Sequence, residues 1–126
     1  MNSNQQTPAR EWKTIKEFSD ILFEFFEGIV KISINRPEVY NAFRPQTNAQ
    51  ILEALAYCRD TPEVRVVVLT GVGDKAFCSG GDQNYKTHGG YRDSDGTPRL
   101  NVLDIHKAIR SLVKPVIAMV NGYAIG

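Results

Sequence analysis

The sequence predicts an α/β fold in which strands and helices alternate around a largely parallel sheet. Residues 29–35 alternate apolar and polar side chains, as a strand with one buried face does. Residues 45–59 repeat apolar side chains at three- and four-residue spacing, which is typical of an amphipathic helix. Residues 64–70 (VRVVVLT) are nearly all apolar and β-branched, as in a parallel strand covered on both faces. This alternation favours parallel pairing through right-handed crossovers.

The composition is that of one ordinary globular domain. The chain has 126 residues, of which 42% are hydrophobic and 23% charged, and these values exclude wholesale disorder. Its formal charge of +1 gives no reason to expect a nucleic-acid partner. No apolar run approaches the roughly 20 residues of a membrane span, so we expect no membrane partner. Two cysteines without metal or disulfide spacing suit a reducing cytoplasm and predict no metal site.

The first half of the chain predicts a flexible arm, a hairpin and a helix. Residues 1–10 are polar and are expected to fray, which leaves residues 11–126 as the folded part. Residues 21–26 and 29–35 are the strands of a hairpin that turns at Glu27-Gly28. Pro37 ends the second strand because proline lacks a backbone donor. Pro45 suits a first helical position, and Thr61-Pro62 closes the helix.

The second half predicts a strand, a long loop, a helix and a strand. The strand at 64–70 ends in a glycine turn, and the polar residues 79–99 form a loop that we expect to be functional or mobile. A helix begins with Asn101 as its N-cap and ends before Lys114-Pro115. Residues 116–120 are a short apolar strand. The order β-β-α-β-loop-α-β stops directly after a strand and a glycine turn, so we expect part of a longer fold.

Three glycine-containing segments are candidates for ligand binding. Gly71-x-Gly73-x-x-Ala76 formally matches a dinucleotide fingerprint, but the next residues do not favour the helix that this fingerprint needs. In residues 79–83 (SGGDQ), here called the first glycine segment, two glycines free the backbone to aim N–H groups at a ligand. An ordinary turn is the alternative. Residues 122–126 (GYAIG), the second glycine segment, follow another sheet strand, so the two segments are predicted to converge.

The titratable and aromatic side chains point less clearly to a site. His88 is expected to be solvated, and His106 to lie on a helix surface. Cys78 has no evident base nearby and is expected to be an inert packing residue. Tyr91 in its glycine-rich loop is either a loop anchor or a ligand contact. The aromatic residues at 23, 25 and 26 are expected in the sheet core or an interface.

Residues 34–37, 41–43, 69–71, 75–82 and 114–126 together resemble the crotonase (enoyl-CoA hydratase/isomerase) superfamily, in order and spacing. The resemblance implies a crotonase-like spiral of ββα units, of which this chain is the N-terminal part. It also implies that a CoA thioester binds with its oxygen between two backbone N–H groups. One of these groups maps to Gly81, and the other belongs to the residue that would follow Gly126. The catalytic base and the oligomerisation helices would also lie beyond residue 126.

A narrower resemblance, in residues 79–83, 89–91 and 98–104, is to the 1,4-dihydroxy-2-naphthoyl-CoA synthases of menaquinone biosynthesis. It implies ring closure of o-succinylbenzoyl-CoA, with Gly81 and Tyr91 as catalytic residues. It also implies no tightly bound cofactor, a hydrogencarbonate site and a homo-oligomer, either trimer or hexamer. The substrate-binding set that it implies is Tyr40, Ser79, Gly80, Gly81, Asp82, Gln83, Lys86, Tyr91, Tyr123, Ala124, Ile125 and Gly126.

One position departs from the narrower pattern. Members of that subfamily usually carry an arginine that contacts CoA where this chain has Tyr40. Arg44 and Lys86 are candidates to supply the missing charge. The alternatives are an enoyl-CoA hydratase or isomerase of the same superfamily, and a non-catalytic acyl-CoA-binding or assembly fragment. We expect the 126-residue chain by itself to bind acyl-CoA poorly and to lack synthase activity, because it supplies only one of two donors.

Overall fold

The computed structural model describes residues 11–86 and 102–126. In chain order its elements are β1 (Lys13–Thr14), β2 (Ile21–Phe26), β3 (Ile29–Ile34), a 3-10 turn (Pro37–Val39), α1 (Pro45–Asp60), β4 (Val66–Gly71), β5 (Ala76–Cys78), α2 (Gln83–Lys86), α3 (Val102–Ser111), β6 (Val116–Ala118) and β7 (Tyr123–Ala124). Five strands form the main sheet in the order β1-β2-β3-β4-β6, and β5 pairs with β7 in a second sheet.

The predicted hairpin forms the antiparallel side of the main sheet. β2 and β3 pair from Ile21↔Ile34 to Phe26↔Ile29. Glu27 and Gly28 both have positive φ, at 45° and 86°, as a tight two-residue hairpin turn requires. Phe23 is only 2% exposed, which confirms the expected core position for this aromatic residue.

The parallel side of the sheet follows from the predicted strand-helix-strand order. β4 pairs in parallel with β3, and β6 pairs in parallel with β4. α1 crosses between β3 and β4, and its buried side chains Ile51, Ala54, Leu55 and Cys58 belong to the core. α3 packs on α1 and adds Ile105 to the same core. The helix predicted at 45–59 is therefore confirmed, one residue longer.

Five short elements were not predicted from the sequence: the 3-10 turn at Pro37–Val39, β1, β5, α2 and β7. β1, β5 and β7 have only two or three residues each, too few for a periodic pattern. α2 lies within the predicted loop at 79–99, so that prediction is wrong for residues 83–86. The rest of the loop and the predicted N-cap Asn101 lie outside the described residues. Because a strand begins at Ala76, the rejection of the dinucleotide fingerprint is confirmed.

Within the two described ranges, no helix is both long enough and apolar enough to cross a membrane. The same residues contain no group of three or more metal-ligating side chains.

Candidate functional site

The two glycine segments meet beyond the ends of β5 and β7. The pairing of Ala76 with Tyr123 and of Cys78 with Ala124 starts the approach, and the N–H of Ile125 donates to the Cys78 carbonyl at 2.9 Å. A Cβ added to Gly80 would lie 3.0 Å from the Ile125 oxygen. One added to Gly126 would lie 2.7 Å from the Gly80 Cα. The predicted convergence is confirmed, and a side chain on either glycine would require the neighbouring backbone to shift.

Gly81 is held by backbone hydrogen bonds on both sides. The N–H of Phe43 donates to the Gly80 carbonyl at 2.9 Å, and the N–H of Asp82 donates to the Phe43 carbonyl at 2.8 Å. In this parallel bridge the N–H of Gly81 points away from Phe43. Among the described residues none accepts a hydrogen bond from it. Gly81 is half-buried, and the hydrogen bond from Phe43 to the Gly80 carbonyl fixes the peptide that carries its N–H.

An ion pair lies beneath the first glycine segment. The Nη1 atom of Arg36 is 3.1 Å from Oδ2 of Asp82, and their side chains are only 10% and 6% exposed. The same Nη1 atom donates to the Ala42 carbonyl at 2.7 Å. The carboxylate of Asp82 therefore points into the protein. In place of the substrate contact implied by the resemblance, the structure gives Asp82 a buried internal partner.

Two asparagine side chains fasten the loop that joins β4 to β5. Asn41 Nδ2 donates to the carbonyls of Val72 at 3.1 Å and of Ala76 at 2.8 Å. Asn121 Nδ2 donates to the carbonyls of Gly71 at 2.7 Å and of Gly73 at 2.8 Å. Each side chain satisfies two backbone carbonyls of one loop, so the loop is held from two directions. This fixes where β5, and hence the first glycine segment, begins.

Comparison with known proteins identifies the family. A family model described as enoyl-CoA hydratase/isomerase matches residues 24–126. The chain belongs to the enoyl-CoA hydratase/isomerase family.

Solved structures with similar folds include an enoyl-CoA hydratase/isomerase from Pseudoalteromonas atlantica T6c, with a TM-score of 0.72 and 29% identity over 86% of this chain. An enoyl-CoA hydratase/isomerase from Xanthobacter autotrophicus Py2 has a TM-score of 0.72 and 29% identity over 84% of this chain. An enoyl-CoA hydratase from Bacillus anthracis has a TM-score of 0.69 and 27% identity over 82% of this chain. This chain covers 40% of each of these three structures. The predicted crotonase-type α/β fold is confirmed for the part of it that this chain spans.

Tyr40 lies at the edge of the same region. Its backbone is left-handed, with φ at 54°, and its carbonyl accepts a hydrogen bond from Ser79 N–H at 3.2 Å. The side chain is 51% exposed and lines a cleft of about 180 Å³ together with Lys75. Tyr40 is thus next to the first glycine segment and accessible to a ligand, as a substrate contact must be.

Arg44 is not placed to replace the missing arginine. Its Nε and Nη2 atoms donate to the two carboxylate oxygens of Asp20, each at 2.7 Å. Burial by itself would raise the pKa of Asp20. Hydrogen bonds from Arg44, Thr47 and Ser19 outweigh that effect and hold the pKa at about 2. Asp20 is therefore ionised at neutral pH, and the Arg44 guanidinium is paired with it. The suggestion that Arg44 supplies the charge missing at Tyr40 is not supported.

The remaining predicted site residues fall into two groups. Ser79 and Gln83 contact the backbone of the site: Ser79 Oγ donates to the Val39 carbonyl at 3.3 Å, and Gln83 Nε2 donates to the Gly81 carbonyl at 3.4 Å. The second glycine segment is exposed, including Tyr123 and Ile125 at 64% and 63%. Tyr123, Ala124, Ile125 and Gly126 therefore lie on the open side of the site. The Lys86 side chain, Tyr91 and His88 lie outside what the structure describes.

Cys78 has the inert character that the sequence predicted, and His106 lies on a helix surface as expected. Burial raises the pKa of Cys78, and the opposing hydrogen bond from Gly80 is the smaller effect. Burial also raises the pKa of Cys58, to about 11, although nearby Lys114 lowers it. Both thiols therefore stay protonated at neutral pH and are poor nucleophiles. His106 is exposed on α3.

Sequence reasoning assigned no role to Arg36, Asn41 and Asn121. All three lie in segments that resemble the family, but no role was predicted for them. In the structure Arg36 and Asn41 are buried, and Asn121 makes four polar contacts. For Arg36 and Asn121 the available signal was a polar residue at the end of an apolar strand, directly before a proline or a glycine. Buried polar side chains need partners, and in this family fold those partners are loop carbonyls and a carboxylate.

Proposed function

We propose that the protein acts on acyl-CoA thioesters and that the N–H of Gly81 is one of two donors to the thioester oxygen. The observation that carries this proposal is the fixed donor on Gly81 beside the converging end of the second glycine segment. Negative charge develops on the thioester oxygen when the α-carbon is deprotonated. A fixed donor to such an oxygen contributes about 3 kcal/mol to lowering the barrier. No tightly bound cofactor enters this chemistry.

Within this class, the proposed reaction is the intramolecular Claisen (Dieckmann-type) ring closure of o-succinylbenzoyl-CoA to 1,4-dihydroxy-2-naphthoyl-CoA. A base removes a proton α to the thioester, and the enolate attacks the aromatic carboxyl group. A C–C bond forms, a C–O bond breaks with loss of water, and aromatisation gives the naphthoyl-CoA. The support is the sequence resemblance of residues 79–83, 89–91 and 98–104. Tyr91 is proposed to hydrogen-bond the substrate and assist proton transfer, because a phenol donates at neutral pH.

Hydration or isomerisation of an enoyl-CoA is the second candidate. The observation in its favour is that the similar solved structures are named as enoyl-CoA hydratases or hydratase/isomerases. Both reactions require the same donors to a thioester oxygen, so the geometry around Gly81 serves either. They differ in the groups that move protons.

Side-by-side assays of the complete gene product separate the candidates. Purified protein is incubated with o-succinylbenzoyl-CoA and, separately, with crotonyl-CoA. Naphthoyl-CoA is followed by its aromatic absorbance, and the hydrated product by liquid chromatography. We expect turnover of the first substrate only. Efficient hydration of crotonyl-CoA without ring closure would replace the synthase by the second candidate. Binding of acyl-CoA without turnover of either would favour the non-catalytic alternative.

Two further properties are proposed from the same resemblance. The first is a homo-oligomer, trimer or hexamer, which mass photometry of the complete gene product measures directly. The second is a requirement for hydrogencarbonate. Ring closure in carbonate-depleted buffer, with and without added hydrogencarbonate, tests it. Equal rates in the two buffers would remove the anion from the mechanism.

A further inference from the structure

We propose that the buried Arg36–Asp82 ion pair is a positioning device that fixes the direction of the Gly81 N–H. This inference rests on the proposed function, because it assumes that Gly81 donates to a thioester oxygen. It concerns two side chains to which the resemblance assigns no such role. Neither side chain is placed against the substrate. The pair acts through the two backbone segments that it joins, which hold Gly81 between them.

The guanidinium of Arg36 joins the two segments that meet at the Phe43–Gly81 bridge. Its Nη1 atom lies 3.1 Å from Asp82 Oδ2 and 2.7 Å from the Ala42 carbonyl oxygen. Ala42 directly precedes Phe43, which pairs with Gly81, and Asp82 directly follows Gly81. Arg36 therefore connects Asp82, the residue after Gly81, to Ala42, the residue before Phe43.

Asp82 is restrained at three points. Its N–H donates to the Phe43 carbonyl at 2.8 Å, its Oδ2 atom faces Arg36, and its Oδ1 atom accepts the Asn84 N–H at 3.0 Å. Together these contacts hold the peptide that follows Gly81, which carries the Gly81 carbonyl and the Asp82 N–H. The Gly81 N–H belongs to the preceding peptide, whose Gly80 carbonyl accepts a hydrogen bond from the Phe43 N–H at 2.9 Å. Both peptides that meet at Gly81 are therefore held, one by Phe43 and the other by Asp82 and its partners. The Gly81 N–H is thus set in advance, which is what electrostatic stabilisation of a developing charge requires.

Arg36 is in turn anchored to the asparagine-fastened loop. Its backbone N–H donates to Asn41 Oδ1 at 2.9 Å, while Asn41 Nδ2 holds the carbonyls of Val72 and Ala76. The ion pair therefore links the segment that contains Gly81 to this loop through Arg36 and Asn41. Apolar residues often replace a buried ion pair without loss of stability. What an apolar pair would not supply is this directional restraint.

The test is Asp82→Asn in the complete gene product, because asparagine keeps the shape of the side chain and an acceptor for Asn84 but loses the charge. Leu55→Ala, on the buried face of α1, is the control for lost stability. Two quantities are measured: kcat and KM for ring closure, and the carbonyl stretch of bound benzoyl-CoA labelled with ¹³C at the thioester carbon. Polarisation by the donors lowers the frequency of that stretch.

For Asp82→Asn we expect kcat to fall about tenfold or more, KM to stay within about threefold, and the frequency shift to shrink. Leu55→Ala should keep both the shift and kcat. A full shift and parental kcat in folded Asp82→Asn would overturn the positioning role. Arg36→Lys provides the same measurements if Asp82→Asn does not fold, because lysine keeps the charge but loses the shared guanidinium. If the parent protein itself shows no shift, the proposed donor Gly81 is refuted and the positioning role with it.

Discussion

Replacing Gly80 by alanine tests whether the close approach of the two glycine segments matters for function. Gly80 has φ at +93°, and an added Cβ would stand 3.0 Å from the Ile125 oxygen and 3.2 Å from the Gly126 Cα. The backbone conformation alone costs an alanine about 1–2 kcal/mol. The contact adds to this, because the neighbouring atoms are backbone and must shift by a few tenths of an ångström.

Gly73→Ala is a matched control. Gly73 has φ at +92°, almost the same as Gly80, yet a Cβ there meets no atom within 4 Å. Both variants therefore carry the same backbone strain, and their difference isolates the contact with the second glycine segment. We expect each to lose about 1–2 kcal/mol in the free energy of unfolding, with Gly80→Ala losing more. Misplacing one donor should lower turnover about tenfold, less than the hundred- to thousandfold caused by its removal.

The assay combines urea unfolding, followed by circular dichroism, with kcat for ring closure in the complete gene product. Turnover is compared under conditions in which both variants are fully folded. The reasoning predicts that Gly73→Ala keeps the parental kcat and that Gly80→Ala does not. Equal kcat values for the two variants would show that the approach at Gly80 has no functional consequence. A parental unfolding free energy for Gly80→Ala would contradict the steric argument itself.

Three further predictions follow from the structure and the proposal. Asp20 has its pKa lowered from 3.8 to about 2, so it contributes about 2 kcal/mol of stability above pH 4 that is lost as the pH falls towards 2. Asp20→Asn should flatten the dependence of unfolding free energy on pH across that window, and an unchanged slope would exclude this carboxylate as its source. Cys58, whose pKa is about 11, should resist iodoacetamide at pH 8 until the protein is unfolded. Mass spectrometry locates the labelled thiol, and rapid labelling of Cys58 in the native state would contradict its burial. Tyr91→Phe should lower kcat for ring closure strongly while thermal unfolding stays unchanged, whereas an unaltered kcat would remove Tyr91 from the proposed site.

Four of the five strands of the main sheet and α1 could be predicted from the sequence because their signals are local. β3 alternates apolar and polar side chains, β2 is a short, mostly apolar run, and α1 repeats its apolar residues over four turns. The second sheet has no such signal. β5 and β7 are defined by pairing with each other across the chain, and neither is long enough to show a period. Their existence is a tertiary property that no window of the sequence contains.

The backbone segments that form the site could be predicted from the sequence. The side-chain interactions that hold these segments in place could not. Glycines after strands indicated where N–H groups could meet a ligand, and the meeting of Gly80 with Gly126 agrees. The partners of polar side chains were not predictable in this way. Arg44 pairs with Asp20, and Arg36 with Asp82, across 24 and 46 positions respectively in the sequence. The sequence alone does not show which of these two arginines pairs with which carboxylate.

The asparagine-fastened loop has a consequence for the order in which the molecule folds. Asn121 reaches Gly71 across a separation of 50 residues, whereas the β2–β3 hairpin closes around a two-residue turn. Closing a longer loop costs more chain entropy, so contacts of high separation form late in small domains. We therefore expect the hairpin and α1 to assemble before β7 docks on β5. The donor of Gly81 then acquires its final surroundings only in the last stage of folding, and partial unfolding should expose that region first.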